Sequence, residues 1–290
     1  MLFRSWERDE VWDPAAVAAS LRPEDGVMLR AVWQPGRLML VAHHLAVDAL
    51  SWRILCDDLA TGWRQLSAGQ PVELPPVPTS FRRWSQVLAD GRLPEQGEVQ
   101  QGPLPPLDPT RDVAATLRTA TISLAADATS RLLGDVAAAY HGTANDVLLT
   151  ALAVALQRWR WADQPVLVDL EGHGREEDIA RQAGTTVDLT RTVGWFTSLH
   201  TVRLDPGGND PQRAVKRVKE AVRAATRDRI GGSGGAQVLF NFLGRFSLDS
   251  DSGGDFSPVT ETEPLGHGND PRTPLGHVLE INTAVQGDGR

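Results

Sequence analysis

Two adjacent histidines, His43 and His44, end an apolar run and precede an amphipathic segment that carries Asp48. An imidazole can act as a general base or hold a developing negative charge, and a carboxylate four residues further along can lie near it. Adjacent side chains on a strand point to opposite faces, so only one of the two histidines would line a given cavity. For that histidine we favour a chemical role over a satisfied core group. For Asp48 we favour a helix cap that also pairs with an arginine. A metal site would need more ligands than this stretch supplies.

Two other polar residues stand at unusual places in apolar, strand-like runs. Glu171 directly follows the run of residues 165–170, and the glycines after it would let the backbone approach a ligand closely. The alternative for Glu171 is a solvated loop acid. Asn241 is a lone amide in the run of residues 239–244. A buried amide must find partners, so Asn241 either bridges structural elements or binds substrate.

Apolar periodicity predicts the elements that would position the histidines. Residues 26–32 and 37–42 predict a β-hairpin, and apolar residues at three- and four-residue steps from Trp52 to Leu66 predict a helix. A short helix before the hairpin would begin at Asp13, its N-cap, with proline at the first position. The histidines would then lie where a strand ends and a helix begins.

Proline accumulates between residues 71 and 109, which marks a linker containing one short helix after Ser80. We therefore predict two lobes, residues 1–107 and 108–290. In the second lobe, Gly142 is placed to end one helix and Asn145 to cap the next. The strands predicted there are 115–124, 165–170, 192–204, 237–242 and 277–285, and the helices are 127–140, 146–159 and 211–225. This mixture predicts an α/β (α+β) protein whose site lies between the lobes.

Composition excludes several classes of protein. With 41% apolar residues in 290, the chain can form real cores. Its net charge of −8 and pI near 5.4 argue against nucleic-acid binding. No apolar run approaches the roughly 20 residues of a membrane helix, and the charged first residues leave no room for a signal peptide. Cys56 is the single cysteine. We therefore expect a cytoplasmic protein.

Four segments in order resemble the signature motifs of nonribosomal peptide synthetase epimerization domains. They are HHLAVDALSW at residues 43–52, EGHGRE at 171–176, RTVGWFT at 191–197 and FNFLGRF at 240–246. TSFRRW at 79–84 and LEIN at 279–282 are similar too. The HHxxxD pattern alone is typical of the whole condensation-domain superfamily, whereas the order of the four motifs favours the epimerization branch. The resemblance extends from about residue 18 to the end of the chain.

The resemblance implies a two-lobed, chloramphenicol-acetyltransferase-like fold with a tunnel between the lobes. The substrate would be an aminoacyl or peptidyl thioester on the phosphopantetheine arm of a carrier protein, epimerized at Cα from L to D. His44 and Glu171 match the family's catalytic residues, with His44 either holding the enolate oxygen or acting as the opposing acid. The residues that would line or support the site are His43, Asp48, Ser51, His173, Arg175, Trp195 and Asn241.

The resemblance also implies partners, namely the carrier protein and neighbouring synthetase domains, and no cofactor bound by this domain. A racemase that uses pyridoxal phosphate needs a Schiff-base lysine, and the only two lysines, Lys216 and Lys219, lie on the charged helix predicted at 211–225. Cofactor-free proton transfer is therefore expected. That helix, with Arg213, Arg217 and Arg223, either attracts an acidic carrier surface or is an ordinary solvated face.

The sequence departs from the family pattern at several positions. Ala49 replaces a glycine, which is a mild change only if the backbone there is helical. Phe242 replaces a tyrosine, and the glycine-rich segment 231–235 is short. The family's first motif would precede Met1 and its last strands would follow Arg290, so we expect an incomplete fold with exposed apolar surface. The alternatives to an epimerase are an inactive remnant that at most docks a carrier protein, and a condensation or acyltransferase relative.

Overall fold

The computed structural model describes residues 13–90, 102–161, 164–182, 184–208, 210–228, 235–245, 270–285 and 289. The chain forms two compact units. The described part of unit 1 lies within residues 13–90 and 173–197, and that of unit 2 lies within 102–172, 198–245 and 270–289. The lobe boundary at residue 107 stays a prediction. The stretch 173–197 nevertheless belongs with the first residues of the chain and not with its sequence neighbours.

Helices and strands are interleaved along the whole of the described chain. They are α1 (Pro14–Ala19), β1 (Leu29–Gln34), β2 (Arg37–Ala42), α2 (Ala49–Ser67), α3 (Phe81–Asp90), α4 (Ala126–Ser130), α5 (Ala137–Ala139), α6 (Ala144–Leu156), β3 (Val166–Gly172), α7 (Glu177–Gln182), β4 (Ser198–Leu204), α8 (Pro211–Asp228), β5 (Val238–Arg245) and β6 (Leu279–Val285). A π-helical segment, Arg131–Val136, joins α4 to α5.

Unit 1 confirms the predicted order of hairpin and helix. Strands β1 and β2 pair antiparallel, with a left-handed Gly36 in the turn between them. Asp13 caps α1 by accepting hydrogen bonds from the backbone of Ala15 and Ala16. The hydroxyl of Ser80 accepts from Arg83 N–H at the start of α3, as predicted. A core under α3 contains Trp84, Val87, Ala180, Val187, Leu189 and Phe196.

The apolar stripe predicted on α2 is present, but much of it faces solvent. Leu59, Trp63 and Leu66 are exposed, whereas the buried positions of α2 are Ser51, Ile54 and Gly62. Trp63 packs beside the exposed Trp33 of β1, with ring centroids 6.3 Å apart. The periodicity therefore identified the helix correctly, and three residues of its apolar stripe are exposed.

Unit 2 is built on a four-stranded sheet in the order β4, β3, β5, β6. Strand β3 pairs antiparallel with β4 and parallel with β5, and β5 pairs parallel with β6. Since side chains alternate along each strand, one face of the sheet is apolar and forms the core with α6 and α8. The core residues of that face include Val166, Val168, Leu170, Val202, Leu204, Val238 and Phe240. The opposite face of β3 carries Asp169 and Glu171.

Three local predictions in unit 2 were wrong. No strand forms over residues 115–124, because Ala114–Thr116 is a 3₁₀ turn and residues 117–125 pair with no strand of the described chain. Ile122 is 89% exposed, so β-forming residue types there lack a partner strand. Helix α6 is capped by Thr143 and not by Asn145, because Thr143 and Asp146 exchange hydrogen bonds in a capping box. His141, with φ of 47°, takes the left-handed position expected of Gly142.

Candidate active site

The two histidines of unit 1 have different environments. Strand β2 ends at Ala42 and a 3₁₀ turn follows at His44–Ala46. His43 is half-buried, and its Nδ1 accepts a hydrogen bond of 3.2 Å from the Leu45 backbone N–H. The His44 ring is exposed and meets the Trp195 ring edge-on, with centroids 5.8 Å apart. His43 is thus engaged in its own turn, and His44 is the ring that a ligand can reach.

Asp48 has the structural role that the sequence favoured. Its Oδ1 caps α2 by accepting from Ser51 N–H at 2.7 Å. The carboxylate binds the Arg175 guanidinium through two contacts of 2.6 and 3.1 Å. Burial by itself raises the pKa of the Asp48 carboxyl, but the hydrogen bonds from Arg175 and Ser51 and the charge of Arg175 outweigh burial and hold this pKa below its usual value. Among the described residues, no hydrogen bond joins Asp48 to His44.

The residues around Trp195 are fixed by hydrogen bonds to the start of α2. Ser51, which is fully buried, donates to the Gly194 carbonyl at 2.9 Å, and its Oγ accepts from Gly194 N–H at 3.0 Å. Phe196 N–H donates to Asp48 Oδ2 at 3.2 Å. Trp195 itself remains 45% exposed. The backbone on both sides of this indole is therefore held in place while its ring stays open beside His44.

Residues 192–197 are not a strand, contrary to the prediction for residues 192–204, and β4 begins only at Ser198. This stretch forms hydrogen bonds with other residues of unit 1 instead of with a strand. Thr192 O accepts from Arg175 at 3.1 Å, and Thr192 Oγ1 donates to Thr79 O at 2.7 Å. Sequence reasoning missed Thr79 and Thr192 in this role. Thr192 lies in a run of strand-forming residue types, and Thr79 lies in the proline-rich linker, so only their tertiary partners reveal the contact.

Arg175 is the centre of this network. Its guanidinium also contacts Ser51 Oγ at 3.1 Å and lies 4.0 Å from the ring centroid of Phe196. Its backbone N–H donates to Nδ1 of the exposed His173 at 3.1 Å. The intervening Gly174 has a φ of +60°. Gly174 therefore allows the chain to turn so that Arg175 can reach Asp48.

Gly174→Ala is expected to destabilise unit 1, because an added Cβ would lie 1.5 Å from the Phe196 carbonyl oxygen. Overpacking of this kind costs about 1–3 kcal/mol in addition to the backbone strain. Gly184→Ala is the matched control, since Gly184 has a similar φ of +73° but no atom within 4 Å of its added Cβ. Urea unfolding of both variants measures the difference. Equal losses of stability would contradict the proposed close packing of the loop.

In unit 2, Glu171 and Asn241 meet on the polar face of the sheet. Glu171 is the sixth residue of β3, and its carboxylate Oε2 accepts a 2.5 Å hydrogen bond from Asn241 Nδ2. The two residues come together because Leu170 pairs with Phe240, which places the next residues of β3 and β5 side by side. Both are half-buried. This arrangement presents a carboxylate, oriented by an amide, that can accept a proton.

Two of the departures from the family pattern have local explanations. Ala49 is the first residue of α2 and has no positive φ, so alanine replaces glycine there without strain. Phe242 packs against the apolar core, on the face of β5 opposite to Asn241. A phenol at this position would accordingly extend from the core face. The shortened segment 231–235 lies largely outside the described residues.

Several charged side chains of the basic helix α8 bind other groups of the protein itself. Arg217 forms an ion pair with Asp205, and Lys219 Nζ donates to the carbonyl oxygens of Tyr140 and His141. Arg223 pairs with Glu220. In the described parts of the chain, no helix is long and apolar enough to cross a membrane, and no cluster of three metal-ligating side chains is found.

The sequence predictions thus fall into two groups of residues. Unit 1 brings together His44, Asp48, Ser51, Arg175 and Trp195, with His43 and His173 as supports of adjoining turns. Unit 2 brings together Glu171 and Asn241. Sequence reasoning missed the carboxylate of Asp169, although a charged residue inside the apolar run of β3 is a signal that a buried partner must exist.

Known proteins resemble this chain over most of its length. A linear gramicidin synthase protein of Brevibacillus parabrevis is 36% identical over 310 aligned residues, which cover 94% of this chain and 4% of that protein. Chondramide synthase cmdD of Chondromyces crocatus is 38% identical over 283 residues, covering 87% of this chain and 7% of that protein. The chain therefore spans less than a tenth of the length of these two relatives.

A solved structure shows the same architecture. The epimerization domain from the third module of tyrocidine synthetase B superposes with a TM-score of 0.74 at 27% identity, over 95% of this chain and 67% of that one. The predicted mixed α/β class and chloramphenicol-acetyltransferase-like fold are confirmed. The chain matches only part of that fold, because the superposition covers 67% of the solved domain. The condensation-domain family model matches residues 33–232, more than half of the sequence. The chain belongs to the condensation-domain family of nonribosomal peptide synthetases.

Proposed function

We propose that this chain epimerizes the Cα centre of an aminoacyl or peptidyl thioester that a carrier protein presents on its phosphopantetheine arm. The observation that carries the proposal is the Glu171 carboxylate, held by the Asn241 amide on the polar face of the unit 2 sheet. The likeness to the tyrocidine synthetase epimerization domain supports the same reaction class.

The proposed reaction consists of two proton transfers. A thioester acidifies the neighbouring Cα–H bond, because the electron pair released on deprotonation is delocalised onto the carbonyl oxygen. Glu171 takes the proton, so that an O–H bond forms as the C–H bond breaks. A proton delivered to the opposite face of the enolate then forms the new C–H bond with inverted configuration. Exchange with solvent resets both groups, and no atom is gained or lost.

His44 has one of two roles in this scheme. A neutral imidazole can donate a hydrogen bond to the enolate oxygen, and an imidazolium can deliver the second proton. The exposure of His44 and the indole of Trp195 beside it make this ring available to a substrate. The carboxylate of Asp48, by contrast, accepts hydrogen bonds from Arg175, from Ser51 N–H at the α2 cap and from Phe196 N–H. We therefore assign Asp48 to bracing the turn.

We also propose that the reaction uses no bound cofactor and involves protein partners. Both lysines lie on α8, which packs on the core side of unit 2, and Lys219 is committed to two backbone carbonyls. Neither is placed like the desolvated lysine that pyridoxal phosphate requires. The substrate would arrive on a carrier protein, and neighbouring synthetase domains would supply and remove it.

The test follows solvent deuterium into the substrate. Carrier protein loaded with L-alanine, L-valine or L-phenylalanine is incubated with the full chain in D₂O, and the thioester is then cleaved to measure deuterium at Cα and the D/L ratio. Exchange together with racemisation is expected for at least one substrate. Peptide-bond formation with an acceptor aminoacyl carrier, without Cα exchange, would instead indicate a condensation enzyme. Neither reaction would indicate a non-catalytic member of the family.

A further inference from the structure

A second carboxylate lies on the same face of β3 as Glu171, two residues before it. Asp169 is completely buried, and its Oδ2 lies 2.9 Å from Nε2 of His277, whose side chain is 10% exposed. Its Oδ1 accepts a 2.5 Å hydrogen bond from Thr201 Oγ1 of β4. A carboxylate only accepts hydrogen bonds, so both partners donate to it. These three residues form a satisfied polar cluster beside the proposed base.

The contact between Asp169 and His277 joins parts of the sheet that do not pair directly. His277 lies two residues before β6, and β5 stands between β3 and β6 in the sheet. The backbone N–H groups of Val278 and Leu279 bind the Gln237 carbonyl at the start of β5. The His277 side chain therefore links the chain entering β6 to β3 and fixes the spacing of all three strands.

This link bears directly on the proposed base. Asn241 of β5 can hold Glu171 of β3 only while the two strands keep their register, and Asn241 in turn pairs with Asn282 of β6. The hydroxyl of Thr283 on β6 also donates to the Asn241 carbonyl. A shift of β6 relative to β3 would consequently move the amide that orients the carboxylate.

Stability alone does not explain a buried carboxylate and imidazole at this place. Replacing a buried ionic or polar pair with apolar residues of similar volume is often neutral or stabilising, because the pair must first be desolvated. Buried, fully bonded polar groups instead specify one arrangement of the elements that they join. The pair lies on the polar face, where such an arrangement determines the position of Glu171.

We propose that Asp169 and His277 form a positioning pair that holds Glu171 and Asn241 in register for proton transfer, an inference that rests on the proposed epimerase function. Neither residue is assigned contact with the substrate. Their effect passes through the strand positions and should therefore appear in the rate of the chemical step more than in substrate binding.

His277→Leu is expected to lower kcat for Cα exchange by about 10- to 100-fold with KM changed less than about twofold, because small misplacements of a base are costly. His277→Gln retains an N–H donor near the Nε2 position and should recover most of the rate. Leu149→Ala is the matched control, since Leu149 is fully buried in the same unit but on the core side of the sheet. It should lower the unfolding temperature without a comparable loss of kcat. Asp169→Asn, which preserves shape, replaces His277→Leu if that variant does not fold.

A second readout does not depend on turnover. The Asn241 side-chain amide, assigned in ¹⁵N-labelled protein through Asn241→Asp, reports its hydrogen bond to Glu171. Its NMR signal should shift in Glu171→Gln and in His277→Leu, and should stay in place in Leu149→Ala. A signal that moves in Glu171→Gln but not in His277→Leu would overturn the positioning role, as would wild-type kcat in His277→Leu. Absence of Cα exchange in the wild-type protein would count against the epimerase proposal alone, because the amide signal still decides the role of the pair.

Discussion

Replacing Glu171 with glutamine is expected to lower the rate of deuterium entry at Cα by about 10²- to 10⁴-fold, the usual contribution of general-base catalysis. Glutamine keeps the shape of the side chain and can still bond to Asn241, but it cannot accept the Cα proton. The readout is mass spectrometry of the amino acid released from the carrier thioester in D₂O.

Glu280→Gln is the matched control for this variant. Glu280 is an exposed carboxylate on β6, two strands away from Glu171 in the same sheet. Its removal changes the net charge by the same amount but should leave the exchange rate within about twofold, because the Glu280 charge is exposed to solvent and is therefore screened. Wild-type exchange in Glu171→Gln would remove Glu171 from the mechanism.

The largest expected effect on stability comes from Arg175→Met, at about 3–5 kcal/mol, because removing one partner of a buried ion pair leaves the other charge uncompensated. Both side chains of the Asp48 and Arg175 pair are 6% exposed. The control is Arg191→Met, which breaks the pair with Asp58, where the side chains are 25% and 24% exposed. That partly solvated pair should contribute about 1 kcal/mol or less. Urea unfolding, followed by fluorescence, measures both, and equal losses would contradict the special role of Arg175.

The Asp48 and Arg175 pair also predicts that the free energy of unfolding depends on pH in opposite directions in the wild type and in Arg175→Met. In the wild type, the pKa of Asp48 is lowered, so its contribution to stability is complete above the unfolded pKa of about 3.9 and is lost as the pH falls through the lower folded value. In Arg175→Met, burial without the guanidinium should raise this pKa, so that the variant gains stability as the pH falls from 7 towards 5. The free energy of unfolding of both proteins is measured between pH 7 and 5. If it changes in parallel for the two proteins, the Asp48 carboxyl is not buried as a charge.

The sequence predicted where the site residues lie on strands and helices better than it predicted which side chains they bind. It predicted that the histidines lie between a strand and a helix and that Asp48 caps that helix, because these depend on local turn and capping chemistry. It also brought out Glu171 and Asn241 as polar residues in apolar strands. Their mutual hydrogen bond was not predictable, since it depends on the parallel register of β3 and β5, which are separated by about 70 residues.

The errors have a common physical origin. Residues 192–197 and 117–125 contain the residue types of strands, but a strand exists only where another strand offers hydrogen bonds. The first stretch bonds to Asp48, Ser51 and Thr79 instead, and the second pairs with no strand of the described chain. For the same reason, the Asp169 and His277 contact joins residues 108 positions apart in the sequence that carry no local signal for each other.

The sequence separation between Asp48 and Arg175 also affects how this chain folds while the ribosome synthesises it. The two residues are 127 positions apart. At 5–20 residues per second, a ribosome needs roughly 6–25 s to synthesise the second after the first. During that interval the Asp48 carboxylate and the apolar side chains of α3 lack the partners that residues 173–197 provide. Unit 1 therefore cannot complete its fold co-translationally until β3 of unit 2 has been made, and the nascent chain should depend on chaperones over this window.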